Sequence, residues 1–265
     1  MQPLDVRKMS SWNMRRSTAL FLAVALAGCA VPLPRPAPLT VQEQIQVDHA
    51  VSRGWATQLE NKVEITHDIE VEVALRHLAE KLVALRPMLA GAPIGVLVYK
   101  NGDGRLPLGF SIPGNRIYLS REILKQLEFE NEVVAALALE CGHLTGRHAI
   151  SETASSGVLD VGSLAGDSHR PVDFFSPAGV FSFTITQRLE AVREAARLLY
   201  ESGYDPRGLV SYLRKLQTQR NGLESGTLVQ LENAARNEMS RVPPLRNPLV
   251  RTEAFLKLQG RIRKL

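Results

Sequence analysis

The stretch NEVVAALALECGHLTGRH, residues 131–148, decides how the rest of the chain is read. Its segment 133–139 is an unbroken apolar run without glycine or proline, the pattern of a buried helix rather than a surface one. Glu140 and His143 follow, three residues apart. Residues at i and i+4 share a helix face, so two histidines at that spacing can ligate one zinc ion. The glutamate after the first can then act as general base on the metal-bound water. Four residues before His143, however, stands Leu139. The base and one ligand are present, and the other ligand is not.

Upstream, residues 94–99 read as a strand, Asn101-Gly102-Asp103-Gly104 as a turn, and Pro113-Gly114-Asn115 as the tip of a strand pair, 109–112 and 116–120. Helical periodicity covers 41–51 and, more clearly, 68–85, where Asp68 is the expected N-cap. Ser120 or Asn131 opens the next helical sequence, and residues 64–67 read as a turn. Downstream, 184–202 is helical with Gly203 just past its end, followed by helices over 206–217 and 227–239. Pro243, Pro244 and Pro248 break the chain before a last basic helix from Thr252. Residues 151–182, rich in Gly, Ser, Pro and Asp, read as one long loop. The expected class is α+β, mainly helical, and no internal repeat is present.

The 265 residues are 45% hydrophobic and 22% charged, enough apolar material for one sizeable core. Much of the net charge of +5 comes from the two ends, and no Lys/Arg cluster is interleaved with aromatics, which excludes a nucleic-acid partner. Arg15 and Arg16 precede a short apolar run that ends in Leu26-Ala27-Gly28-Cys29, the order of a secretory signal over residues 1–28. Leu-Ala-Gly-Cys also resembles the lipobox of bacterial lipoproteins, which implies lipid on Cys29. Ala30 after the cysteine implies sorting to the outer membrane, with the chain on its periplasmic face. Residues 29–40, with four prolines, read as a semi-rigid tether. Cys141 is then left without a disulfide partner.

Beyond spacing, residues 131–148 resemble the active-site helix of the zinc metalloendopeptidase family of HtpX, CAAX prenyl proteases and BepA-type periplasmic proteins. Glu132, Ala135, Leu137, Ala138, Glu140, Gly142, His143, Arg147 and His148 carry the likeness. Three further segments match in order: 109–118, similar to the family's substrate-side edge strand; Arg188-Leu189-Glu190-Ala191-Val192 with Ser202-Gly203-Tyr204-Asp205-Pro206 after it; and Val242-Pro243-Pro244 with Arg251. The resemblance implies a zincin-like domain over 41–265 with a small edge sheet packed on the active-site helix. It assigns Glu140 as general base, His143 as a zinc ligand, and Phe110, Ser111, Ile112, Pro113 and Gly114 to the strand that lies beside bound peptide.

The departures from the family pattern concern that site. The first zinc histidine falls on Leu139, the ligand glutamate on Arg188, its supporting aspartate on Val192, the late histidine near the substrate oxyanion on Val242, and the asparagine before the edge strand on Leu108. Structural zinc sites contribute about 10–16 kcal/mol from four ligands, so each lost ligand is worth about 3 kcal/mol, on the order of two decades of affinity. Glu190 is an alternative ligand, although it lies about 200° round the helix from Arg188 and is expected to point away from the metal, into solvent near Arg193. His148 and Arg147 are expected to cap or pack near the helix end. His49, His67, His77 and His169 occur in no metal-like spacing.

Two functions follow. One is a catalytically degenerate member, without zinc, that holds extended peptide or unfolded envelope protein by strand addition. The other is an active zinc endopeptidase with an atypical ligand set that recruits Glu190.

Overall fold

The computed structural model describes residues 40–102, 104–150, 171–217 and 224–265. The signal segment, Cys29, most of the tether and the first part of the 151–182 loop lie outside the described residues. The arrangement is α+β and mainly helical, as the pattern implies.

Helix α5 (Glu130–Thr145) is buried from Glu130 to Leu144, which explains why its sequence is apolar all round. Against one side of it lies a four-stranded sheet of β1 (Glu64–Thr66), β2 (Gly95–Lys100), β3 (Gly109–Ile112) and β4 (Arg116–Ser120), in the order β1-β2-β4-β3. The central pair β2 and β4 is parallel and the outer pairs are antiparallel. Residues 64–67, read as a turn, instead supply the edge strand β1.

Alternation along the strands divides the core in two. Val96, Val98, Ile117 and Leu119 face α5 and α2 (Ile69–Val83), whose N-cap Asp68 accepts from the Glu70 and Val71 amides. Leu97, Tyr99, Tyr118, Phe110 and Ile112 face the other way. There they meet α1 (Val41–Glu60), through Val51, Trp55 and Leu59, and the segment 172–181. α1 is nine residues longer than its sequence signal because this second core extends it. Two short helices, α3 (Pro87–Ala90) and α4 (Arg121–Leu124), lead into and out of the sheet.

On the remaining sides α5 packs against α6 (Ile185–Glu201) and α7 (Arg207–Gln217), while α8 (Ser225–Met239) packs on α6 and α7, and α9 (Glu253–Ile262) on α2. A Cβ on Gly142 would stand 2.5 Å from the Ala191 carbonyl oxygen, so only glycine lets α5 and α6 approach this closely. Among the described residues, no helix is long and apolar enough to cross a membrane.

Candidate functional site

The start of α5 is pinned by buried polar groups. Glu130 accepts from the Tyr204 hydroxyl and the Thr252 amide, both at 2.8 Å, and Asn131 Nδ2 donates to the Asp205 carbonyl at 3.1 Å. Glu132 accepts from the Glu128 amide at 2.7 Å, from Lys215 Nζ at 2.8 Å and from the Ser211 hydroxyl. Arg251 covers the Phe129 ring and donates to the Glu128 carbonyl. Tyr204 and Asp205 of the Ser202–Pro206 segment, together with Arg251, thus serve as holders of the helix.

Two turns farther along, α5, α6, α7 and the approach to β3 enclose a cavity of about 430 Å³. Leu139, Glu140 and His143 line it from α5, Arg188 and Val192 from α6, and Leu108 from the chain before β3. Four of the five positions that depart from the family pattern therefore share one space. Leu108 is among them, whereas Val242, expected beside the oxyanion, is not. Phe175, Phe181 and Phe183 close one side.

Glu140 is 4% exposed, and its Oε2 has no hydrogen-bond partner among the described residues. Burial pushes its carboxyl up to about 7, against the lowering effects of the Ser111 hydroxyl and the Arg188 guanidinium. Ser111 Oγ donates to the Glu140 carbonyl at 3.2 Å, which pins β3 to α5. Arg188 is half-buried; its Nε donates to the Phe183 carbonyl at 3.0 Å, and burial lowers its guanidinium against the pull of Glu140.

His143 stacks on Phe183, with ring centroids 4.1 Å apart. Burial, with His148 and Arg188 nearby, holds its imidazole well below its ordinary value, so it is neutral. Its Nδ1 lies 3.0 Å from His148 Nδ1, and His148 Nε2 lies 3.2 Å from a Glu190 carboxylate oxygen. Neutral tautomers satisfy both contacts if His143 Nδ1 donates to His148 and His148 Nε2 donates to Glu190.

Helix periodicity gave no sign of this chain of contacts, because on a continuous helix His148 would stand about 140° from His143. α5 ends at Thr145, and Arg147 then takes φ 51°, which turns His148 back over Gly146. There a Cβ on Gly146 would meet the His148 ring at 2.2 Å. Arg147 itself pairs with Asp48 of α1 at 2.6 Å. Glu190, the alternative ligand, is half-exposed and is not part of the cavity lining; its carboxylate contacts His148 rather than Arg193. Cys141 is a buried free thiol pushed far up by burial.

A metal-site helix crossed by a second helix that brings in the third ligand position, with an edge strand alongside, is the frame of a metallopeptidase. The sequence profile of peptidase family M48 matches residues 107–252, more than half of the chain. The chain belongs to peptidase family M48. No curated protein matches it. Members of M48 are in general zinc-dependent, but the donor set of this M48 chain does not fit zinc. Of the three ligand positions, Leu139 offers no lone pair, Arg188 offers a cation, and His143 alone offers a nitrogen. Among the described residues, no group of three or more His, Cys, Asp or Glu could hold a metal ion.

Proposed function

We propose that this chain is a non-catalytic member of peptidase family M48 that holds extended polypeptide along β3. The observation that carries this function is the division of the family's positions. Those that hold α5, such as Glu132, Tyr204, Asp205 and Arg251, keep their residues and contacts. Those that would hold zinc have become Leu139, Arg188 and Val192, which line one cavity with His143.

Peptide binding by strand addition is supported by the unpaired outer edge of β3, where Gly109 is part-exposed and Ser111 is buried. The Ser120 amide donates to Leu108, so Phe110 and Ile112 complete the hydrogen-bonded pairs with β4. The backbone groups of Gly109 and Ser111 then point away from the sheet, with no backbone partner among the described residues. Phe110, Ile112 and Pro113 are buried and anchor the strand in the second core. Lipid on Cys29 and the proline-rich tether would hold the domain at the periplasmic face of the outer membrane, within reach of unfolded envelope proteins.

One observation favours the second function, an active endopeptidase: Glu140 keeps the place of the general base and titrates near neutral pH. Metal analysis of the purified protein, together with casein cleavage with and without a chelator, separates the two. Stoichiometric zinc with chelator-sensitive cleavage overturns the non-catalytic function.

A further inference from the structure

The cavity over Glu140 combines an apolar wall with the half-buried guanidinium of Arg188, whose counter-charge within the cavity is the Glu140 carboxyl. Leu139, Val192, Leu213, Leu216 and Leu231 supply the apolar surface, and the exposed Arg105 and Glu224 mark the rim. Its volume of about 430 Å³ lies within the roughly 300–1,000 Å³ of small-ligand sites. Arg188 has its Nε on the Phe183 carbonyl, and its two Nη groups have no carboxylate partner among the described residues. Partial desolvation of a guanidinium beside leucines is unfavourable unless an anion meets it. Across the same wall, the carboxylate of Glu140 keeps one oxygen without a donor among the described residues.

The middle of an extended peptide brings N–H groups and side chains but no anion at a fixed place. A chain end brings all three. We infer that the cavity takes the C-terminal residue of a polypeptide whose last side chain is apolar, an inference that rests on the peptide-binding function proposed above. The α-carboxylate pairs with the Nη groups of Arg188, the last amide N–H donates to Glu140, and the side chain fills the space between Leu139 and Val192. The free edge at Gly109, which borders the same cavity, holds the residues that precede it. The position where the family carries a ligand glutamate has thereby become an anchor for an anion.

The test uses the full-length chain and a short dye-labelled peptide ending in leucine, as the free acid and as the C-terminal amide, in fluorescence-polarisation titrations. Loss of a charge-assisted pair predicts that the amide binds at least about tenfold more weakly than the acid. Arg188→Gln abolishes that difference. The acid–amide comparison is made on the unaltered chain, so it does not depend on how the variant folds. Equal affinities overturn the terminal anchor and leave peptide binding standing, whereas absence of binding by either peptide overturns both. Dodecanoate as competitor distinguishes the other source of a carboxylate on an apolar tail: displacement by it at concentrations where the free-acid peptide does not bind assigns the cavity to fatty acids and overturns the inference.

Discussion

Glu140→Gln isolates one titration within the whole fold. In the native chain the Glu140 carboxyl titrates at about 7 rather than at its ordinary 4.5, because burial penalises the charged form. Below pH 4.5 both folded and unfolded chains carry the proton, and the group is neutral to stability. Between pH 4.5 and about 7 the unfolded chain releases its proton while the folded chain keeps it, so stability falls with rising pH by about 1.4 kcal/mol per unit. Above pH 7 the loss is complete, at about 3 kcal/mol. Glutamine at this position has no such dependence. Urea unfolding of the two proteins across pH 4 to 8, followed by the fluorescence of buried Trp55, gives the difference in stability at each pH. The other carboxylates, Asp48 included, cancel in that difference. The variant should gain about 3 kcal/mol on the native chain between the ends of the range, all of it above pH 4.5. A difference that stays level with pH would refute the burial of an uncompensated carboxylate at the cavity wall.

Four further perturbations test the frame and the ligand positions. Leu139→His combined with Arg188→Glu restores two donors and should raise zinc affinity by about four decades, measured by isothermal titration, without restoring casein cleavage while Val192 remains; unchanged zinc affinity would mean that the two positions do not face one point. Gly142→Ala drives a methyl into the Ala191 carbonyl and should lower stability by about 1–3 kcal/mol or more in urea unfolding. Glu132→Ala removes the buried carboxylate that accepts from Lys215 and from two amides at the start of α5 and should cost about 3–5 kcal/mol, read as a drop in thermal midpoint, whereas Glu190→Gln on the exposed side should cost less than about 1 kcal/mol.

Elements with strong local signals were legible in the sequence. β3 and β4 fall on the residues read as strands, because the Pro113-Gly114-Asn115 tip sets both boundaries and its last two residues take positive φ. Helices α2, α6 and α7 end within a residue or two of their expected limits. Features that depend on distant partners were not legible. β1 is three residues long and is a strand only because Glu64–Thr66 finds β2. The parallel pairing of β2 with β4 depends on the path of the intervening chain, which periodicity does not encode. At the site, spacing and resemblance located Leu139, Glu140, His143 and Arg188 as neighbours of one cavity. They overlooked Phe183 on the face of His143, which comes from an aperiodic segment, and His148, which a single backbone reversal at Arg147 returns to the site. Val242 is grouped with these residues only by the resemblance of Val242-Pro243-Pro244 to the family's pattern, and it does not line the cavity.

The contact of Gly142 with Ala191 holds α5 and α6 at a fixed separation through backbone atoms. Nothing in that contact depends on which side chains stand at 139, 188 and 192, so those positions can drift, exchange ligands for leucine and arginine, and drift again while the helices remain where they are. In this chain the frame and the ligand positions are thus separable. Under the non-catalytic function proposed above, the shape has outlived the reaction, and the space becomes an exchangeable socket in which selection, or an engineer, can install a different recognition.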